Sequence, residues 1–404
     1  MRWNAKTFFV MAAVLLMAAA VGCKKDEPVV EVLDEEQLTL LEEPAVPAAP
    51  YKIGALFSVT GPASFLGDPA KKSAEMLVRQ VNERGGIHGR PVELIVYDTT
   101  GEETATVMHM RRLVDRDRVL AVAGPSNSGP TLAIVSIAEE SEVPLVSAAA
   151  SVRISQPVKK WVFQTPQTDV MAVEKIVEYL EMRGYDRVGL ITVSTGFGKS
   201  GKEALERILP ASGVQIVANE VFNPRPADLK AQIRNLQAAK PQAVICWDTN
   251  PGPATLARNM QEMGVKIPLI MSHGVASKRF IELAGTAAEG IVLPAGRLIV
   301  AGQLPEDDPQ RPILLRYIEE YEGAFNEPVS TFGGHGWDAV KQILAAIEKA
   351  GADRAGIRDA LESMTSFKGS GGVFNRSPED HNGLTKDAFV LVKIQDGDWK
   401  LVTD

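Results

Sequence analysis

Ile53-Gly54-Ala55-Leu56-Phe57-Ser58, then Gly85-Gly86-Ile87-His88-Gly89-Arg90, then Val92-Glu93-Leu94-Ile95-Val96-Tyr97-Asp98: the reading of these blocks decides the fold class. The outer two are apolar runs of strand length. Between them, Pro69–Arg84 spaces Ala74, Leu77, Val78 and Val81 along one helical face. Short apolar runs joined by a helix read as parallel strands buried on both faces.

The same rhythm extends outward. Thr104–Asp115 and Thr131–Ser141 have helical spacing, and Val119–Ala123 and Pro144–Ala148 are strand-like. A second series follows residue 168. Its strands are expected at Val188–Val193, Gln215–Val221, Ala243–Asp248 and Leu269–Ser272. Its helices are expected at Val170–Arg183, Lys199–Leu209, Ala227–Ala239 and Ala254–Met263. Two such series predict two doubly wound α/β units. Near the end, Phe389–Ile394 and Trp399–Val402 read as a hairpin about Gln395-Asp396-Gly397.

Composition excludes several classes. The chain has 404 residues, 45% of them hydrophobic, with 43 Lys+Arg against 51 Asp+Glu and a net charge of −8. That length predicts more than one domain with an ample core. The acidic balance argues against a nucleic-acid partner, which requires clustered Lys and Arg to neutralise phosphate. The 2 cysteines make neither a disulfide scaffold nor a four-cysteine zinc site.

The start of the chain reads as an address. Arg2 and Lys6 precede the uncharged run Phe8–Val21, a signal-peptide h-region too short for a membrane span. Ala20-Val21-Gly22-Cys23 resembles the bacterial lipobox, which implies removal of residues 1–22 and a lipid on Cys23. In residues 23–50 the acids Asp26, Glu27, Glu31, Asp34, Glu35, Glu36, Glu42 and Glu43 accompany Pro28, Pro44, Pro47 and Pro50. Like charges and proline favour an extended tether. The expectation is an exported body held at a membrane, facing the periplasm or cell exterior.

Catalytic motifs are sparse. Gly196-Phe197-Gly198-Lys199-Ser200-Gly201 satisfies G-x-G-x-x-G between a strand and a helix, with Glu220 further on, as in a dinucleotide site. Export and the extra Ser194-Thr195 before the first glycine weigh against it. A P-loop fails because position 193 is Val. His88, His109, His273, His335 and His381 lack metal-ligand spacing, and there is no G-x-S-x-G elbow. Cys246 reads as a small buried hydrophobe. No enzyme activity, metal or cofactor is expected. The loop Gly124-Pro125-Ser126-Asn127-Ser128-Gly129 is more informative, because it leads from a strand end to a helix N-terminus. Ligands bind there in open α/β sheets, and N–H groups with a hydroxyl suit a carboxylate. The same Ser128 reads equally well as a plain helix cap.

Together these residues resemble the Leu/Ile/Val-binding family of type I periplasmic binding proteins, which serve ABC importers. The resemblance is carried by Ile53-Gly54, Ser58-Val59-Thr60-Gly61-Pro62, Gly67-Asp68, Asn82 and the Gly85–Arg90 block leading to Asp98. Gly124-Pro125, Pro144–Ser147, Thr165-Pro166 with Asp169, Gly196–Gly198 and Ala288-Glu289-Gly290 follow in order. It implies two doubly wound lobes joined by three crossovers, near Gln164–Thr168, Val292–Gly296 and Phe367–Gly371. Lobe 1 would be residues 51–167 plus 293–367, and lobe 2 residues 168–292 plus 368–404. It also implies a permease as partner and a small-molecule ligand between the lobes.

By the same resemblance, Ser128 would hold the ligand carboxylate, and Ala149 and Ser151 its carboxylate and amine. Asp169 would supply the counter-charge to an ammonium. Leu66, Phe197 and Thr249 stand where aromatic residues are usual, and His273 where amino-acid binders carry a glutamate. Gly101 and Asn127 occupy positions that some members join by a disulfide. The carboxylate half of the site is thus expected intact and the ammonium half depleted. An aliphatic amino acid is the first expectation. Aromatic acids or small amides, an exported sensor on the same scaffold and a nicotinamide-dependent oxidoreductase are the alternatives.

Overall fold

The computed structural model describes residues 49–249 and 251–403. The expected leader at 1–22, the lipid on Cys23 and the tether up to residue 48 lie outside them. Among the described residues no helix is long and apolar enough to cross a membrane.

Five parallel strands form the first sheet: β1 (Tyr51–Phe57), β2 (Val92–Asp98), β3 (Ala121–Ala123), β4 (Leu145–Ser147) and β5 (Val162–Gln164). Their order is β2-β1-β3-β4-β5. The second sheet repeats that winding with β6 (Arg187–Val193), β7 (Gln215–Phe222), β8 (Ala243–Trp247), β9 (Leu269–Met271) and β10 (Val292–Gly296). After the short pair β11 (Phe367–Lys368) and β12 (Val373–Phe374), the expected hairpin appears as β13 (Phe389–Gln395) and β14 (Asp398–Leu401). It adds to β10 antiparallel, giving β14-β13-β10-β9-β8-β6-β7.

Both faces of each sheet are buried, which is why the strands read as unbroken apolar runs. Phe57 belongs to one core with Tyr317 and Trp337, while its neighbour Leu56 packs with Met110, Ile134 and Val162 on the opposite face. In the second sheet Ile191, Cys246 and Met271 face one core, and Leu190, Ile245 and Ile270 face the other.

Two helices start earlier than expected. The helix expected from Pro69 starts at Ser64 and runs to Glu83 (α1), with Pro69 inside it. Packing overrides the proline: Leu66 and Gly67 are buried, and a Cβ on Gly67 would stand 2.3 Å from the Ser58 carbonyl. Helix Ser128–Ser141 (α2) likewise begins earlier than the apolar periodicity does. The chain leaves the second sheet after Gly296, the end of β10. The third passage is longer than expected, since β11, β12 and the segment to Ala388 separate α/β packing in one lobe from β13 in the other.

Helices Gly196–Ala211 (α3) and Thr331–Ala350 (α4) complete the frame of the site. Helix α4 lies on α1 so closely that a Cβ on Gly336 would be 2.7 Å from the Ala70 Cα. Its buried Asp338 accepts from the N–H groups of Ser370 (2.7 Å) and Gly371 (2.8 Å), and Gln167 Nε2 donates to the Gly371 carbonyl at 2.6 Å. These bonds tie the passages between the two sheets to one another.

Candidate functional site

In each sheet the strand order reverses at one point, between β1 and β3 and between β6 and β8. Crevices form outside the carboxyl ends of strands at such points. Here the two crevices face one another and enclose a cavity of about 390 Å³. Leu66, Ser126–Ser128 and Ala148–Ala150 come to it from the segments and helix starts that follow the first sheet's strands; Thr195–Phe197, Thr249 and His273 come from those that follow the second's. Phe332 and His335, in the first turns of α4, complete the wall.

Two helix N-termini meet at this cavity. A Cβ on Gly196 of α3 would stand 3.0 Å from the Gly129 Cα of α2. Asn127 is the N-cap of α2, yet its side chain makes no cap bond; its Oδ1 accepts from Ser58 Oγ at 2.5 Å. Ser58 Oγ also lies 3.0 Å from Thr99 Oγ1, so the loop is held from β1 and β2. The N–H groups of Ser128 and Gly129 therefore keep the open valence of a helix start. Ser128 Oγ accepts from Ser151 N at 3.3 Å and retains its proton for another acceptor. On α3, Thr195 Oγ1 caps Gly198 N at 3.3 Å. Two converging N-termini favour an anion, each contributing about 0.3–1 kcal/mol.

The expected site residues divide into two groups. Leu66, Ser128, Ala149, Phe197, Thr249 and His273 all line the cavity. Ser151 and Asp169 do not; both are fully buried behind the wall. Asp169 Oδ1 accepts from Val152 N (3.1 Å) and Val170 N (2.9 Å), and its Oδ2 from Ser200 Oγ. Ser151 Oγ donates to Ser200 Oγ at 2.7 Å. Burial raises the Asp169 carboxyl to about 6, against the lowering effect of those hydrogen bonds. Three of the carboxylate's roughly four lone-pair sites are thus taken, and the residue does not line the cavity. The Ala149 carbonyl is also engaged, by Gln164 Nε2 at 2.6 Å.

The opposite holds at the two histidines. Both ring nitrogens of His273 and Nδ1 of His335 are buried without a partner. The His273 ring stands edge-on to Phe197 and Trp247, with centroids 5.5 and 5.7 Å away. Burial holds both imidazoles at about 3, so they are neutral at physiological pH. An unsatisfied buried polar group costs about 1–3 kcal/mol.

Sequence reasoning missed Phe332 and His335 as wall residues. Their signal was Gly333-Gly334-His335-Gly336, since glycines within a helix mark close approach. It also missed Glu102 and Glu103, which line the cavity at its exposed rim. The glycines of the dinucleotide-like loop have packing roles. A Cβ on Gly198 would fall 1.8 Å from the Val193 carbonyl, and one on Gly201 2.0 Å from Trp247 Nε1. Gly101 stands beside Asn127 as expected, a built Cβ lying 3.9 Å from its Oδ1, and Cys246 is a buried free thiol.

Comparison with known proteins agrees with this geometry. A Leu/Ile/Val-binding protein of Rhizobium johnstonii is 25% identical over 353 residues, covering 86% of this chain and 93% of its own. A leucine-, isoleucine-, valine-, threonine- and alanine-binding protein of Pseudomonas aeruginosa is 26% identical over 317 residues, covering 78% and 82%. The crystal structure of an extracellular ligand-binding receptor from Rhodopseudomonas palustris superposes with a TM-score of 0.82 at 28% identity, covering 87% of this chain and 99% of its own. The family model described as periplasmic binding protein matches residues 50–398. With its two facing switch-point crevices and most of its length matched, the chain belongs to the periplasmic binding protein family, with the type I fold.

Proposed function

We propose that this chain is the exported, lipid-anchored solute-binding component of an ABC importer, with Cys23 carrying the lipid and a membrane permease as partner. It takes a small carboxylate, a branched-chain amino acid or a related acid, between two closing lobes. The observation that carries this reading is the convergence of the α2 and α3 N-termini on one cavity with Ser128 at its wall. Ser128 Oγ and the first-turn N–H groups hold the carboxylate. Leu66, Ala149, Phe197 and Thr249 wall the rest of the ligand, and Asp169 and Ser151 support the wall from behind. Closure follows from contacts that only the closed state makes with the ligand. The names of the relatives, binders of leucine, isoleucine and valine, support the substrate class.

A thermal-shift panel on the purified protein, unfolded and refolded to strip any bound ligand, tests it. A ligand at 100 times its dissociation constant stabilises by about 2.7 kcal/mol. Leucine, isoleucine, valine or matching amine-free acids are expected to raise the midpoint, and NAD to leave it unchanged. A shift with NAD and with no carboxylate overturns the reading.

A further inference from the structure

The G-x-G-x-x-G loop carries a polar residue that neither its glycine packing nor the cavity accounts for. Ser200 stands between Gly198 and Gly201, where a Cβ would strike Val193 and Trp247, so this turn of α3 is fixed in place. Its hydroxyl is buried at the middle of a chain of donors. Ser151 Oγ donates to it at 2.7 Å, and it donates to Asp169 Oδ2. Each hydroxyl has one proton, so the order is set and ends on the carboxylate. The two serines come from opposite sides of the cavity. Ser151 follows β4 of the first sheet, while Ser200 lies on α3, after β6 of the second. Helix Asp169–Arg183 packs on that second sheet, its Ala172 and Ile176 sharing a core with Leu190. Two backbone bonds cross beside the serines: Val152 N to Asp169 Oδ1 and Asp169 N to the Ala150 carbonyl, both 3.1 Å. Ser151 N also donates to Ser128 Oγ, which connects the chain to the cavity wall. Arg153 and Glu203 approach to 3.9 Å at the surface, where an ion pair contributes little.

We infer that Ser151 and Ser200 form a closure latch, a buried hydroxyl bridge by which the protein's own side chains hold the two sides of the cavity together. The first passage between the sheets leaves β5 at Gln164 and ends at Asp169, so the Asp169 bonds lie at the hinge. Helix α3 lies beyond it, and a rotation that opens the cavity draws Ser200 away from Ser151. Ser200 is therefore a positioning residue, which acts through Ser151 on the wall that carries Ser128. The inference goes beyond the carboxylate reading and does not rest on it, because the bridge contains no ligand atom. Part of the open-to-closed balance is then set by the chain itself, and weakening the bridge raises the open population whatever the ligand.

Amide hydrogen exchange on the full-length protein, stripped by unfolding and refolding, tests this with no ligand present. Each variant is read at the amide on the far side of the bridge. Ser151→Ala leaves the Ser200–Asp169 bond in place and is read at Asp169 N; Ser200→Ala is read at Val152 N. Both amides are expected to exchange about fivefold faster than in the wild type, the net effect of one hydrogen bond on the opening equilibrium. Helix Lys230–Ala238, remote from the bridge, is expected to keep its wild-type rates. Wild-type rates at both reporter amides, or an effect in Ser200→Ala alone, overturn the latch. Carboxylate binding is measured separately by the thermal-shift panel, so either conclusion can fail without the other. Should Ser200→Ala not fold, Ser151→Ala decides. Should that variant not fold either, Ser151→Cys, whose thiol is only a weak donor, takes its place.

Discussion

Two polar clusters lie on either side of the Ala148–Ala150 wall, and they are opposites. Behind it, Asp169, Ser151 and Ser200 bond to one another and to the backbone of Val152 and Val170. Among the residues that line the cavity, His273 and His335 carry three buried nitrogens without a hydrogen-bond partner. The carboxylate that best suited ligand recognition on paper is consumed by nearby backbone donors. A polar side chain beside open N–H groups is satisfied by the fold, whereas one facing a cavity depends on what enters it.

The clusters also pull stability in opposite directions with pH. Burial raises Asp169, and likewise Asp338, to about 6. The folded chain then keeps protons that the unfolded chain sheds from about pH 4, and stability falls as pH rises through that window. Burial lowers His273 and His335 to about 3 from 6.5. Below about pH 6.5 the unfolded chain takes up protons that the folded one refuses, so stability falls as pH falls. The largest expected effect is therefore seen in urea midpoints of unliganded protein between pH 4 and 7. The double variant His273→Phe/His335→Phe removes the contribution that opposes the buried aspartates, so on going from pH 7 to 4 it should gain stability relative to the wild type by an amount on the order of several kcal/mol. Identical slopes in the two proteins would mean that the imidazoles are not held neutral.

Next in size, Asp169→Ala removes one acceptor from two backbone N–H groups and a hydroxyl, with an expected loss of about 3 kcal/mol in denaturant unfolding. A variant that keeps its stability but loses ligand would move Asp169 to the cavity side and break the comparison. Gly201→Ala should cost about 2 kcal/mol, because its Cβ displaces the indole that flanks His273. Its signature would be altered tryptophan fluorescence together with weaker ligand binding. Smallest, Ser128→Ala should weaken every carboxylate ligand about tenfold by calorimetry, the equivalent of roughly 1.4 kcal/mol, with the fold intact. Undiminished affinity there would leave the helix N–H groups as the sole anion holders.

Much of the fold is legible before any coordinates. Val188–Val193 and Ala243–Asp248 are unbroken apolar runs because both sheet faces are covered, and each became a strand within a residue of its expected end. The 389–402 hairpin follows from a Gly turn between apolar runs. The start of α1 was not legible, since Pro69 signals a first turn and only contact with Ser58 explains the earlier one.

By itself the sequence determined that this is a doubly wound α/β chain, where its strands run, that the loop at 124–129 joins a strand end to a helix start and that the 196–201 glycines follow a strand. Those properties depend on hydrophobic period and on turn residues, which are local. Only the tertiary structure decided that Asp169 is hydrogen-bonded behind the wall, that Phe332 and His335 join the wall and that Gly198 and Gly201 are packing contacts. Each of those depends on which distant segment arrives alongside, from β6, β8 or the far helix α4, and no local pattern records the neighbour that claims a hydrogen bond.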